Sequence, residues 1–135
     1  MKVIVERLNP GTDLKSEIKR IASENEITSG CIINAVGSLV RVKVRTDATN
    51  GVETFKEFGK VEVVSLTGTI GEMGKHLHIH LSGSDIDGNV IGGHLSEGCI
   101  VKTTVELMIL VFEDLRFLTK FDPITGFKEL YVKHK

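Results

Sequence analysis

Apolar and polar residues alternate with a period of two along most of this chain, and the pattern predicts a protein built mainly from β-strands. The first predicted strand runs from Lys2 to Leu8 and stops at the turn-forming residues Asn9-Pro10-Gly11. Gly and Asn turn signals separate the segments that follow, so neighbouring strands are expected to pair antiparallel. Further strands are predicted within 31–45, 53–58, 60–70, 76–81, 99–112, 116–121 and 127–132.

One segment follows the helical period instead. Thr12 or Asp13 can cap its start, and it is expected to end near Asn25. The predicted fold class is therefore α+β (α/β): a single compact domain, residues 1–135, with a mostly antiparallel sheet and one N-terminal amphipathic helix packed on it. The apolar stripe of this helix consists of Leu14, Ile18, Ile21 and Ala22.

Bulk composition narrows the class of protein. A net charge of −1 gives no global basic field, while 41% hydrophobic residues suffice for one substantial core. The apolar runs are far shorter than the roughly 20 residues that span a bilayer, and charges interrupt the N-terminus where a signal peptide is apolar. Cys31 and Cys99 stand alone among apolar residues, as reduced buried thiols do. We expect a cytoplasmic protein.

Four of the five histidines lie close together in the chain. His76, His78 and His80 alternate with leucine and isoleucine, so in a strand the three imidazoles project from one face. The Asp85–Asn89 segment can form a tight turn, because Gly and Asn tolerate positive φ angles. A hairpin at this turn would carry His94 to the face that bears the other imidazoles.

This pattern predicts a metal site. Imidazole nitrogens bind Zn²⁺ at about 2.0–2.1 Å, and three histidines with an open fourth position form a known catalytic zinc arrangement. We predict His78, His80 and His94 as the ligands, with His76 as a fourth ligand or a supporting group. Copper, nickel and iron also suit imidazole. The alternative is that the histidines only form hydrogen bonds at a sheet surface or a subunit interface.

Catalysis at such a site would need more than the metal. Zinc can lower the pKa of a bound water towards ~7, and a carboxylate could then act as general base or orient the ligands. Glu97, Asp85 and Glu106 are the candidates. The chain has no His-Glu-x-x-His helix, nucleophile elbow or glycine-rich phosphate loop. An enzyme is therefore an alternative and not the favoured function.

Basic residues alternate with valine in one predicted strand. Arg41, Lys43 and Arg45 share a face, which is typical of a solvated edge strand protected by its charges. The alternative is a patch that binds DNA, to which the C-terminal Lys133 and Lys135 would add in an assembly.

Four ordered motifs resemble those of the PPC domain, the "plants and prokaryotes conserved" domain, also labelled a PD1-like DNA-binding domain in prokaryotes. The similarity extends over nearly the whole chain, including the N-terminal strand and helix. The motifs are Gly-Lys-Val-Glu-Val-Val-Ser-Leu-Thr-Gly at 59–68, His-Leu-His-Ile-His-Leu at 76–81, Asp-Gly-Asn-Val-Ile-Gly-Gly-His at 87–94 and Val-Lys-Thr-Thr-Val-Glu at 101–106.

The resemblance implies a compact domain with a largely antiparallel sheet that assembles as a homotrimer. Plant relatives carry the domain after AT-hook segments, which this chain lacks. The His-x-His and Gly-Gly-His positions follow the prokaryotic pattern and resemble a metal site. In the plant proteins a matching segment is associated with partner interaction. Here it comprises Gly59, Lys60, Val61, Glu62, Val63 and Val64.

We therefore predict a homotrimeric, cytoplasmic PPC-domain protein of prokaryotic type. Its histidine-rich site is expected to hold a metal, zinc in the first place, or a small ligand, and the protein is expected to be DNA-associated or regulatory. Two alternatives stand beside this prediction: a zinc-dependent enzyme acting on a small substrate, and a module that serves only self-association and partner binding.

Overall fold

The computed structural model describes residues 1–135 and contains nine strands and one α-helix. The predicted α+β class, with a mostly antiparallel sheet and one helix, is confirmed. The helix α1 spans Leu14–Glu24, and short 3₁₀ turns lie at Thr49–Gly51 and Glu72–Gly74. The strands are β1 (Lys2–Leu8), β2 (Ser29–Asp47), β3 (Thr54–Phe58), β4 (Val61–Gly71), β5 (His76–Ser84), β6 (Val90–Leu95), β7 (Ile100–Val111), β8 (Leu115–Asp122) and β9 (Phe127–His134).

Helix α1 begins and ends where its capping residues predict. The Asp13 carboxylate accepts a hydrogen bond from the Ser16 backbone N–H at 2.9 Å, and the Asn25 N–H donates to the Ile21 carbonyl at 3.0 Å. The predicted apolar stripe is fully buried in the core. Burying each of its leucine and isoleucine side chains stabilises the fold by roughly 1.5–3 kcal/mol. No helix of this structure has the length and apolar character needed to cross a membrane.

Seven strands form one sheet in the order β1-β7-β2-β4-β5-β6, with β3 added beside β2. All of the pairings are antiparallel. Strand β2 pairs with β4 through residues such as Gly30 and Leu39, and near its end it also pairs with β6 through Val44 and Arg45. The strands β2, β4, β5 and β6 therefore close into a ring.

Strand β2 differs from its sequence prediction in its pairing. It is one 19-residue strand, in which Gly37 lies at a β-bulge, and it has neighbours on both sides. The prediction that Arg41, Lys43 and Arg45 mark a solvated edge is wrong, because β3 and β6 pair with this part of β2. Arg41 is exposed, whereas Lys43 and Arg45 are half-buried.

The core fills the space between α1 and the inner faces of the strands, and it contains 23 buried residues. Strand β7 is central between β1 and β2, as its apolar sequence predicts, and it buries Leu107 and Ile109. In β5, Ile79 and Leu81 point into the core, so the alternating histidines point outwards. Burial raises the pKa of the Cys99 thiol, consistent with its predicted place in the core.

Strands β8 and β9 form the predicted C-terminal hairpin as a separate two-stranded sheet. Phe117 anchors β8 in the protein: its side chain is buried, and its N–H donates to the Thr28 carbonyl at 2.9 Å. All eight residues of β9 are exposed. A two-stranded sheet is at best marginally stable alone, so the hairpin depends on the contacts that β8 makes with the rest of the chain.

Gly37 provides a test of the bulge. A Cβ atom there would lie 2.0 Å from the Thr104 carbonyl oxygen, so Gly37→Ala must force β2 and β7 apart. We expect a loss of about 1–3 kcal/mol in the free energy of unfolding, measured by chemical denaturation. Gly59→Ala is the matched control, since a Cβ at Gly59 meets nothing within 4 Å. Equal stability of the two variants would contradict the bulge.

Candidate metal centre

The histidine face is built from register pairs across adjacent strands. His80 of β5 is paired with His94 of β6, and His94 is in turn paired with Arg45 of β2. Thr67 of β4 lies on the other side of His80. Directly paired residues project from the same face of a sheet, so these side chains form one row on the outer surface. His78 lies one step along β5 on the same face.

The turn between β5 and β6 sets this register. The Asp85 carboxylate accepts hydrogen bonds from the backbone N–H groups of Asp87 and Asn89, each at 2.9 Å. The Asp85 N–H also donates to the Asn89 carbonyl at 2.9 Å. Asp and Asn side chains stabilise turns in this way. The turn therefore returns the chain as a hairpin, and the predicted approach of His94 to the β5 histidines is confirmed.

The two glycines before His94 allow β6 to fit between its neighbours. A Cβ atom at Gly92 would lie 2.4 Å from the Leu81 carbonyl oxygen, and one at Gly93 would lie 2.7 Å from the Arg45 carbonyl oxygen. Any side chain at either position would push β6 away from β5 or β2. The Gly-Gly-His sequence thus serves the close strand packing that places His94.

Three imidazoles converge on this face. The ring centroids of His80 and His94 are 4.4 Å apart, those of His78 and His80 are 5.2 Å apart, and those of His78 and His94 are 6.0 Å apart. One nitrogen from each ring lies within 4.8 Å of the other two. Ligand nitrogens at a tetrahedral zinc ion are about 3.3 Å apart. His78 and His80 are exposed, so side-chain rotation can close the remaining gap.

His76 stands apart from this cluster. Its Nε2 lies 3.4 Å from the Thr69 hydroxyl, and it is half-buried. It shares the outer face of β5 but is not among the three rings whose nitrogens converge. Its position fits a supporting group beside the cluster better than a fourth ligand.

Burial favours the neutral form of two imidazoles on this face, those of His76 and His94. Burial lowers the pKa of His94 below the ordinary value of 6.5, and the positive charge of Arg45 acts in the same direction. Burial likewise lowers the pKa of His76, and His78 adds to the effect. Neutral imidazole is the form that binds metal. At pH 7, therefore, no proton has to leave His94 before its nitrogen can act as a ligand.

A cavity of about 930 Å³ opens beside the cluster. Its volume lies within the range typical of small-ligand sites. His78, His94 and Arg45 form one wall, and Phe127 and Leu130 of β9 line another part. The C-terminal hairpin thus contributes to the same cavity as the histidines.

The predicted carboxylate partners lie elsewhere. Asp85 stabilises its turn, and Glu97 forms an ion pair with Lys19 at 3.4 Å. Glu106 is paired with Arg7 in the β1–β7 ladder. None of the three lines the cavity beside the histidines. The carboxylates that do line it are those of Asp47, Glu53 and Glu129.

From its sequence context, Arg45 was expected to be only a surface charge or a DNA contact. Its position beside His94 depends on a pairing between strands about 50 residues apart, which local periodicity does not reveal.

The predicted interaction segment, residues 59–64, contributes to a different cavity. Gly59 precedes β4, and Lys60, Val61 and Glu62 line a separate cavity of about 500 Å³ with Lys102.

The chain belongs to the Plants and Prokaryotes Conserved (PCC) domain family, whose model matches residues 1–113. This confirms the resemblance drawn from the sequence motifs. The matched residues include β1 to β7 and therefore His76 as well as the three clustered histidines. The β8–β9 hairpin lies beyond them.

Solved structures share the fold. A Salmonella enterica protein is 32% identical and matches with a TM-score of 0.91 over 99% of this chain and 94% of that one. A protein of Archaeoglobus fulgidus, described as metal-containing, is 26% identical, with a TM-score of 0.82 over 97% of this chain and 94% of that one.

Two curated relatives are much longer. The bifunctional protein GlmU of a Synechococcus strain is 35% identical over 133 residues, which are 98% of this chain. The chain spans only 20% of that relative. The AT-hook motif nuclear-localized protein 10 of Arabidopsis thaliana is 29% identical over 105 residues, which cover 73% of this chain and 29% of that protein.

The directions of the pKa shifts of His76 and His94 predict how these two imidazoles titrate. In metal-free protein, the imidazoles of His76 and His94 should titrate with midpoints below 6.5, because burial disfavours the charged form. NMR of the ring protons across pH 4–9 measures these midpoints (a window of about 2.5 units on either side of the ordinary value). Since Arg45 contributes to the shift, Arg45→Gln should move the His94 midpoint upwards. A midpoint above 6.5 for His94 would contradict this account.

Proposed function

We propose that this protein is a homotrimeric metal-binding module of the PCC family that holds a transition metal at His78, His80 and His94. The observation that carries the proposal is the convergence of three imidazole nitrogens within 4.8 Å on the outer face of the sheet. The Archaeoglobus relative described as metal-containing supports it. Zinc is the first choice of ion, because three neutral imidazoles with an open position suit it.

The residues around the cluster fit a bound ion. His78 and His80 can rotate, whereas His94 is held by β6 between two strands. One fixed ligand and two adjustable ones allow the site to adapt to the bond lengths of an ion. Because three ligands leave a position open, a bound ion would be accessible from the adjoining cavity.

The double variant His78→Ala/His80→Ala tests the ligand set. The variant should lose stoichiometric metal, because the one remaining imidazole cannot hold the ion. The metal content is measured by elemental mass spectrometry on untagged protein purified without added metal or chelator. Both side chains are exposed, so the free energy of unfolding of the metal-free form should change by no more than about 0.5 kcal/mol. His134→Ala removes a histidine outside the cluster and serves as the matched control.

The outcomes separate clearly. Stoichiometric metal in the wild type and the control, together with its loss from the double variant, supports the proposal. Metal that stays in the double variant contradicts the ligand set. A wild type that neither carries metal nor takes up zinc on reloading contradicts the function itself. His76→Ala should keep its metal, because the His76 nitrogens lie outside the converging set.

Self-association is the second part of the proposal, and the C-terminal hairpin supports it. Strand β9 is exposed along its whole length, and its apolar side chains keep between 42% and 61% of their surface exposed. Large exposed apolar surfaces mark interaction sites. We assign a second copy of the chain as the covering partner, in keeping with the homotrimer that the family resemblance implies. The exposed apolar residues of β9 are Phe127, Leu130, Tyr131 and Val132.

Sedimentation equilibrium tests this assembly. The wild type should give three times the 14.8 kDa of one chain. Leu130→Asp/Tyr131→Asp should shift the mass towards that of the monomer, because charges would be buried in an apolar interface. Ile86→Asp is the control, since Ile86 is an exposed apolar residue of the β5–β6 turn. A monomeric wild type, or a trimeric double variant, would contradict the proposed interface.

DNA association is a second candidate function, favoured by the Arabidopsis relative named for its AT-hook motif. The net charge of −1 opposes it. DNA binding whose affinity falls steeply as the salt concentration rises would indicate phosphate contacts and would favour this candidate.

The enzyme alternative has a different test. It would be favoured if the protein turned over a small substrate and a chelator stopped that turnover.

A further inference from the structure

One N–H donor of the Arg45 side chain has no hydrogen-bond partner. Its Nε atom is buried from solvent and has no hydrogen-bond partner in the protein. Buried polar atoms are nearly always paired, because an unpaired one costs the full penalty of losing its water. The guanidinium has five N–H donors in a planar fork, which matches the oxygens of a carboxylate or a phosphate. The rest of the Arg45 side chain is about a third exposed, and its one partner is the Glu53 carboxylate, so the guanidinium has donors left for an acceptor from outside the chain.

The protein's own carboxylates do not supply that acceptor. Glu53 approaches the other side of the guanidinium, where its Oε1 lies 3.4 Å from Nη1. Charge-assisted hydrogen bonds are usually about 2.7–2.9 Å long, so this contact is weak. Asp47 accepts hydrogen bonds from the Thr49 hydroxyl at 2.7 Å and from the Thr49 N–H at 3.3 Å. Its charge is therefore already engaged within its own turn.

The surroundings of Arg45 suit a small ligand. Arg45 is paired with His94 on one side and with Phe55 on the other, so it lies between the imidazole cluster and an aromatic ring. All three line the cavity of about 930 Å³. Lys15 and Lys128 also line it and offset the carboxylates of the lining. An oxyanion in this cavity would meet Arg45 together with His78 and His94 of the cluster.

We propose that the cavity binds a small oxyanion, an organic carboxylate or a phosphate, which Arg45 holds beside His78, His80 and His94. This inference deepens the proposed function and rests on it in one respect: the ion held by the histidines supplies a second positive charge. The remaining recognition comes from the chain itself. Arg45 supplies the donor that fixes the anion, and Phe55 supplies an apolar wall for its carbon part.

Heteronuclear NMR of the zinc-loaded protein tests the proposal, because the Arg45 Nε–H gives its own signal. Acetate, inorganic phosphate and the neutral acetamide are titrated separately at constant ionic strength. The Nε–H signal should shift and saturate with acetate or phosphate and should not respond to acetamide. Whichever anion binds more tightly identifies the source of the oxyanion. Absence of a saturable shift with both anions overturns the proposal.

Three variants sharpen the test, followed through the backbone amide of Leu95, which is paired with Val44 next to Arg45. Arg45→Gln should weaken anion binding about ten- to a hundredfold, since a charge-assisted hydrogen bond is lost. Glu53→Gln should strengthen it, because a competing carboxylate charge is removed. Arg41→Gln, an exposed cation of the same strand outside the cavity, should leave it unchanged.

These outcomes are separable from failure of the metal proposal. If the wild type holds zinc but Arg45→Gln and Arg41→Gln bind the anions equally, the oxyanion site is wrong and the metal site stands. If no metal binds, the metal-free protein is titrated instead. Anion binding that is weaker but still dependent on Arg45 then supports the oxyanion site alone. A misfolded Arg45→Gln, detected by circular dichroism, is replaced by Arg45→Lys, which keeps the charge but loses the fork and should also bind more weakly.

Discussion

The double pairing of β2 is the constraint on which the site depends. Along its first half β2 pairs with β4, and near its end it pairs with β6 through Val44 and Arg45. This second contact closes the ring of β2, β4, β5 and β6 and leaves β6 fixed on both sides. Because His94 and Arg45 are direct partners in that contact, the same hydrogen-bonded ladder brings an imidazole of the histidine cluster and a guanidinium together.

The two faces of β5 have different roles: the inner face packs in the core, and the outer face carries the histidines. Ile79 and Leu81 are buried, and the free energy of burying them, roughly 1.5–3 kcal/mol each, fixes the strand. His78 and His80, on the outer face, contribute little to that packing because they are exposed. The inner face of β5 therefore contributes more to stability than the histidine face. We therefore expect substitutions of these histidines to leave the core intact.

Much of the fold and part of the site were predictable from sequence, because they depend on local patterns. The apolar stripe of α1 predicts which residues of the helix face the core. The alternation of histidine with leucine and isoleucine in β5 predicts which residues share each face of the strand. The turn residues at Asp85–Asn89 likewise predicted the hairpin that brings His94 close to the histidines of β5. Arg45 was misplaced on a solvated edge, because its neighbours come from β3 and β6, and local charge patterning does not encode those pairings. Metal binding and trimer formation remain predictions, since both involve partners outside the single chain.

The most direct test of the central claim is a crystal structure of the untagged protein with anomalous data collected on both sides of the zinc absorption edge. The account predicts one strong anomalous peak at about 2.0–2.1 Å from a nitrogen of each of His78, His80 and His94, with the fourth position facing the cavity. A peak at any other group of residues would contradict the ligand set. A protein that shows no peak after incubation with zinc would contradict the metal-binding function as a whole.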